Sequence, residues 1–143
     1  MLNDKLSLTG ALTISVNGEV VRDIDNLVVT TGKALVATML QGGSPTPITH
    51  MGVGTGAVAA AIANTALGNE VDRNAVSPSG GAASGAIVTY TGTWEPGDGT
   101  GALTEAGLFT ASSGGVMLCR TVFPVVNKGA DDTVTIVWAV TIS

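Results

Sequence analysis

A period of two in the apolar residues at both ends of the chain is the feature that most constrains its fold. Near the end of the sequence, five apolar residues share one parity, and three threonines have the other: Val134, Ile136, Trp138, Val140 and Ile142 against Thr133, Thr135 and Thr141. Residues 6–16 alternate in the same way. A period of two is typical of a strand with one buried face. The chain is therefore predicted to fold mainly as β-sheet.

The first alternating segment is predicted to open a β-hairpin. Asn17-Gly18 follows it directly, and this pair suits the two positive φ angles of a type I′ turn. Val20 and Ile24 continue the same parity on the return strand. We expect the hairpin to cover residues 6–16 and 19–29.

One short helix is predicted over residues 31–41. Thr30 or Thr31 can cap its start, and Gly42-Gly43 can end it. Apolar residues recur at i,i+4 spacing, as in Leu35 and Met39, which predicts an apolar stripe packed on a sheet.

The remaining segments complete a β-rich domain over residues 1–143. Further strands are predicted at 48–53, 67–76, 87–94, 102–110 and 116–126, and a flexible Ser/Gly-rich loop at 77–85. The alanine-rich stretch 57–63 is ambiguous between helix and loop. Seven to eight mostly antiparallel strands with turn signals between them predict a β-sandwich or barrel with one short helix.

Charge and cysteine content exclude several classes of function. The formal net charge is −5 with six cations, which provides no basic surface for nucleic acid and disfavours an anionic membrane surface. We find no signal segment and no apolar stretch of about 18 residues that would predict a membrane span. Cys119 is the one cysteine; it excludes an intramolecular disulfide and a cysteine-based zinc site, and is expected to be a buried, inert thiol.

No motif for catalysis, for a cofactor or for a metal is recognised. Gly52-x-Gly54-x-Gly56 follows a predicted strand, but its spacing differs from the dinucleotide fingerprint, and no alternation of strands and helices follows. A tight turn with a close approach of two backbones is expected there instead. The single histidine, His50, is expected to be structural, and the chain is predicted not to be an enzyme.

Charged residues are so few that those present are candidates for structural or assembly roles. Glu95, Asp98 and Glu105 have no spacing specific for an acid–base pair. Glu70 and Arg73 are close in sequence and have apolar neighbours, which suggests a buried or interfacial ion pair. The full set of candidates is Glu70, Arg73, Glu105, Phe109, Arg120 and Lys128.

The order of several short motifs resembles the N-terminal domain of phage tail-collar fibre proteins. These motifs, which span residues 26–142, are Asn26-Leu27-Val28-Val29-Thr30-Thr31-Gly32-Lys33-Ala34-Leu35, Ile48-Thr49-His50-Met51-Gly52-Val53-Gly54-Thr55-Gly56, Thr65-Ala66-Leu67-x-x-Glu70-Val71-x-Arg73, Thr104-Glu105-Ala106-Gly107-Leu108-Phe109 and Lys128-Gly129. The resemblance implies a non-enzymatic β-rich virion module, usually trimeric, that attaches a fibre to the baseplate or tail. Tail-collar fibres continue into a shaft and a receptor-binding tip, whereas this sequence ends at Ser143.

Three functions follow as expectations. The first is a tail fibre or baseplate attachment module of a tailed phage, located in the virion, that packs with itself as a homotrimer and binds other virion proteins. The second is a capsid decoration protein that binds the major capsid protein. The third is a β-sandwich binding module outside any virus. The small number of aromatic residues, 3%, argues against a sugar-binding receptor tip because binding hot spots favour Trp and Tyr.

Overall fold

The computed structural model describes residues 6–143, which form two antiparallel sheets packed face to face. Along these residues lie ten strands and one helix: β1 (Leu8–Val16), β2 (Glu19–Asp25), β3 (Leu27–Val28), α1 (Thr30–Leu40), β4 (His50–Gly54), β5 (Glu70–Ala75), β6 (Ser77–Ser84), β7 (Ile87–Trp94), β8 (Gly101–Phe109), β9 (Met117–Lys128) and β10 (Val134–Ile142). The first sheet has the order β2-β1-β10-β7-β6, and the second has the order β3-β9-β8-β4-β5. Both sheets are open, so the structure is a sandwich and not a closed barrel.

The mainly β prediction is confirmed, but the predicted number of seven to eight strands is too low, since the described residues form ten. The segment 77–85, predicted as a flexible loop, contains the edge strand β6. Gly80 and Gly81 have φ angles of 81° and 78° and interrupt its pairing with β7. Because φ > 0 suits glycine, the glycines that suggested a loop form an irregularity within a strand.

The predicted hairpin forms, but its return strand is shorter than expected. Asn17 and Gly18 have the expected positive φ angles of 51° and 84°. A register shift between Ile14 and Ser15 changes the parity of the return strand, so Val20 is exposed and does not share the buried face. At Asn26 the chain leaves the first sheet, and β3 pairs with β9 in the second. This crossing supplies the other strand missed by the prediction.

The predicted helix is confirmed as α1, whereas its predicted threonine cap is wrong. Val29 occupies the N-cap position without a side-chain hydrogen bond, and Thr31 Oγ1 instead donates to the carbonyl of Met117 on β9. Gly32 is buried, and a Cβ there would lie 2.2 Å from the carbonyl oxygen of Leu118. The helix therefore lies on β9 through a glycine contact. Its Met39 and Leu40 side chains are exposed.

The main core lies between the two sheets. The first sheet contributes Trp94, Ile136 and Trp138, all at most 1% exposed. Cys119 is fully buried in the same core and unpaired, as expected, and burial raises the pKa of its thiol well above the ordinary value.

No helix within residues 6–143 has the length and apolarity needed to span a membrane.

Candidate functional site

The outer face of the second sheet is covered by residues 55–69, which we call the covering loop. This segment contains the ambiguous stretch 57–63, which forms no regular helix or strand. Leu67 of the covering loop packs with three buried residues of a second, smaller apolar cluster: Val29, Phe109 and Met117. The central strand β8 is consequently buried on both faces.

Glycines on this outer face leave space for the covering loop and for large side chains. Gly52 of β4 lies opposite Gly107 of β8, and a Cβ on either would come within 3.2 Å of Leu67. Gly54 is in contact with the backbone of Asn69, where a Cβ would lie 2.3 Å from the carbonyl oxygen. The glycine run therefore provides the expected close approach of two backbones, but Gly52 and Gly54 lie on an extended strand and not in a tight turn. No helix follows to bind a phosphate.

Glu105 on β8 fixes the covering loop at both of its ends. Its side chain is fully buried, and its carboxylate accepts three backbone N–H groups, from Gly56 at 2.6 Å, Gly68 at 2.7 Å and Asn69 at 2.7 Å. Buried carboxylates need such partners because an unpaired buried charge is very costly.

Arg120 on β9 completes this anchor. It lies opposite Gly107, diagonally across the strand pair from Glu105, and its side chain is 2% exposed. Nη2 is 3.0 Å and Nε is 3.2 Å from Glu105 Oε1. The guanidinium also donates to Asn64 Oδ1 and to the Val58 carbonyl, each at 3.0 Å. A single buried ion pair thus holds the middle and both ends of the covering loop.

The electrostatics of the anchor favour the ionised carboxylate. Burial disfavours the charge of Glu105, but hydrogen bonds from Asn69, Gly68, Arg120 and Gly56 outweigh that effect, and the pKa of Glu105 lies below its ordinary value. Its stabilising contribution is therefore present at neutral pH and is lost as the pH falls through the lowered pKa.

A second ion pair lies on the same face, at the sheet edge. Glu70 and Arg73 of β5 are joined by two bonds, Nη2–Oε1 at 2.6 Å and Nε–Oε2 at 3.0 Å. Residues three apart on a regular strand point to opposite faces, but a register shift opposite Val53 and Gly54 brings both onto the outer face. Their strand partners are Gly54 and Gly52.

Arg73 also ties β5 to the turn between β8 and β9. Nη1 donates to the carbonyls of Ala111 at 3.0 Å and Gly114 at 2.8 Å. The guanidinium carbon lies 3.6 Å from the centre of the Phe109 ring, a cation–π contact. Arg73 is 7% exposed and Glu70 33% exposed in their side chains, so the pair suggested by the sequence is present at the edge of the buried layer.

We expect Arg73→Ala to lower the free energy of unfolding by about 2 kcal/mol, because hydrogen bonds to charged groups contribute roughly 1.5–3 kcal/mol. Chemical denaturation monitored by circular dichroism measures this loss. Arg73→Lys is the matched variant: it keeps the charge but cannot reproduce the bidentate contact, so it should recover only part of the stability. Full recovery by lysine would contradict a role for the guanidinium geometry.

The remaining sequence candidate, Lys128, lies outside this cluster. Lys128 is 2% exposed and donates from Nζ to the Glu95 carbonyl at 3.0 Å. It is eight residues from Arg120 along β9, about 26 Å on an extended strand. His50 Nδ1 and Thr49 Oγ1 are 2.8 Å apart, which fits the expected structural histidine.

Sequence reasoning missed the covering-loop residues that bind the ion pair. Asn64 belongs to no recognisable motif, and the N–H groups of Gly68 and Asn69 have no side-chain signature. Among residues 6–143, no three His, Cys, Asp or Glu side chains are grouped to hold a metal ion. The arrangement of the two ion pairs holds separate segments of chain together.

Comparisons with protein-family models, with curated proteins and with solved structures found no match.

Proposed function

We propose that this chain is a non-enzymatic structural module of a tailed-phage particle that attaches a tail fibre to the baseplate or tail. It acts through symmetric packing of its own copies, as a homotrimer, and through contacts with neighbouring virion proteins. In this proposal, the chain is a component of the assembled virion.

The observation that carries this proposal is where the resembling motifs lie in the fold. Three of them, within 48–56, 65–73 and 104–109, contain all or part of the neighbouring strands β4, β5 and β8 of the second sheet. Their polar groups bind one another: Glu105 accepts hydrogen bonds from the backbone N–H groups of Gly56 and Gly68, and Glu70 pairs with Arg73. Motifs that are far apart in the sequence therefore lie together in the fold, which supports the resemblance as a whole.

The distribution of charged and apolar side chains also supports an assembly role. Arg73, Glu105 and Arg120 are engaged in holding segments of this chain together. Large apolar side chains remain exposed, including Leu6, Leu40, Val58 and Ile62, each at least 57% exposed. Exposed apolar groups are typical of surfaces that become buried in an assembly when they form contiguous patches.

Gold labelling of purified virions of the encoding phage tests this proposal. An antibody raised against the chain is expected to place gold at the tail end in electron micrographs. Gold spread over the head would replace the attachment function with capsid decoration. Failure to label intact particles, when the antibody does bind denatured particles, would place the chain inside the virion and overturn both positions. Absence from denatured particles as well would overturn a virion function.

A further inference from the structure

The first residues of β1 have an unpaired backbone edge. β1 pairs with β10 from Leu8 onward but with β2 only from Ala11, because the chain leaves the first sheet at Asn26. The odd-numbered residues of β1 direct their N–H and C=O groups to β10, as the two bonds between Ser7 and Ser143 show. Leu8 therefore directs its N–H and C=O groups to the opposite edge, where no backbone group of residues 6–143 bonds them.

A groove runs between this edge and α1. Four helix residues at i, i+3, i+4 and i+7 spacing form one wall: Lys33, Val36, Ala37 and Leu40. The opposite wall is formed by Leu6, Ser7, Leu8 and Ile142, and the groove has a volume of about 620 Å³. In peptide binding by strand addition, an unpaired edge supplies the backbone hydrogen bonds and pockets beside it take alternate side chains. The groove and the edge of β1 provide both of these elements.

The floor of the groove continues into an apolar cavity beneath α1. Leu8, Val36 and Ile142 line both spaces, and Tyr90 and Val140 are among the residues that line the cavity alone. The cavity has a volume of about 240 Å³, whereas an apolar cavity of roughly 150 Å³ is large enough to hold benzene. Protein interiors contain few voids larger than a water molecule, so this space suits one large apolar side chain of a partner.

Lys33 supplies a positive charge to the groove. Its side chain is exposed, and no carboxylate of residues 6–143 lies within ion-pair distance of it. Asp25 lines only the adjoining space next to Asn26, and not the groove beside Leu40. A partner that carries a carboxylate can therefore pair with the Lys33 ammonium group.

We propose that this groove binds an extended segment of another protein, which adds a strand to the unpaired edge of β1. The segment places a large apolar side chain in the cavity and a carboxylate beside Lys33. The residue opposite Leu8 exchanges two backbone hydrogen bonds with it. This docking site goes beyond the proposed function and does not depend on it, because the edge, the cavity and Lys33 alone define the partner.

A displayed library of random short peptides, selected on the immobilised full chain, tests the docking site. The enriched peptides are expected to share large apolar residues at alternating positions and an Asp or Glu. Their backbone N–H groups are then methylated one at a time, and binding is measured by fluorescence anisotropy. Methylation at the residue opposite Leu8 should weaken binding by at least about tenfold. Methylation at the adjacent residues should have little effect, because successive N–H groups of a strand point to opposite edges.

Two variants of the chain test the groove itself. Lys33→Glu is expected to weaken binding of the enriched peptides by at least about tenfold, because it places a like charge against their carboxylate. Leu40→Gln replaces a side chain that is 78% exposed with another good helix former, and it should weaken binding in the same direction. Val137→Gln is the matched control at an exposed position of β10, and it should leave binding unchanged. The thermal melting of all three variants should change little, because the replaced side chains are exposed.

Four outcomes would overturn the docking site. The first is a selection that enriches no peptide beyond a parallel selection on Lys33→Glu/Leu40→Gln. The second is a methylation effect that does not differ between adjacent residues, and the third is an equal loss of binding in Val137→Gln. The fourth is self-association in light scattering that Lys33→Glu abolishes, which would assign the groove to a second copy of the chain. A chain that is found at the virion tail but binds no peptide would overturn the docking site alone.

Discussion

Replacement of Arg120 by alanine is expected to lower the free energy of unfolding by about 3–5 kcal/mol, the cost of removing one partner of a buried ion pair. The loss is large because Glu105 would remain fully buried without its counterion. Asn64 and the Val58 carbonyl would also lose their contacts with the guanidinium. Typical domains are stable by 5–15 kcal/mol, so urea denaturation should show a much lower midpoint.

Arg22→Ala is the matched control for this variant. Arg22 donates to the carbonyls of Val21, Pro124 and Val125, and no carboxylate takes part in these bonds. Two of these bonds are exposed to solvent, so its removal should cost about 1.5 kcal/mol, the low end of the range for hydrogen bonds of a charged group. A loss in Arg120→Ala no larger than that in Arg22→Ala would contradict the anchoring role of the buried pair.

The difference in stability between wild type and Arg120→Ala is expected to narrow as the pH falls. In the wild type, the lowered pKa of Glu105 means that its contribution is present above the ordinary carboxyl pKa and is lost in acid. In the variant, burial without Arg120 favours the neutral carboxyl group, so protonation relieves part of the penalty. Urea titrations at several pH values measure the difference in the free energy of unfolding between the two proteins. A difference that does not change with pH would exclude the ionisation of Glu105 as its cause.

The strands that can be predicted from the sequence are those whose own residues show a period of two. In β10, large apolar residues such as Ile136 and Trp138 recur at every second position, and the buried face of that strand follows from this pattern alone. The strand β6 has no such pattern, because its glycines Gly80 and Gly81 are typical of a loop. It becomes a strand through pairing with β7, and pairing between segments is a tertiary contact that local composition does not encode.

The two ion pairs also differ in whether the sequence could predict them. Glu70 and Arg73 are close in sequence, so their pairing could be suggested before the structure was known. Glu105 and Arg120 were each singled out, but their contact depends on the register of β8 against β9, which contains bulges. Gly107, opposite Arg120, leaves space for Leu67 of the covering loop, which a Cβ there would approach to 3.1 Å, and a glycine in a strand has no unique meaning without its neighbours.

Gly56, at the start of the covering loop, provides the second large expected effect. Gly56→Ala is expected to destabilise the fold by about 3 kcal/mol, the upper part of the usual range for overpacking. A Cβ at this position would lie 2.3 Å from Glu105 Oε2 and 2.9 Å from the Cα of Gly68. Glu105 cannot move aside without losing its bonds to Arg120 and to the backbone of the covering loop.

Gly68→Ala is the matched control, because Gly56 and Gly68 both donate a backbone N–H to Glu105. A Cβ at Gly68 would lie 3.3 Å from its nearest neighbour, the Cα of Gly56, which a small adjustment can accommodate. Chemical denaturation should therefore place Gly68→Ala within about 1 kcal/mol of the wild type, the range of well-tolerated changes in packing. If the two alanine variants were equally stable, the close approach at Gly56 would not be what fixes the covering loop, and the buried ion pair alone would account for its position.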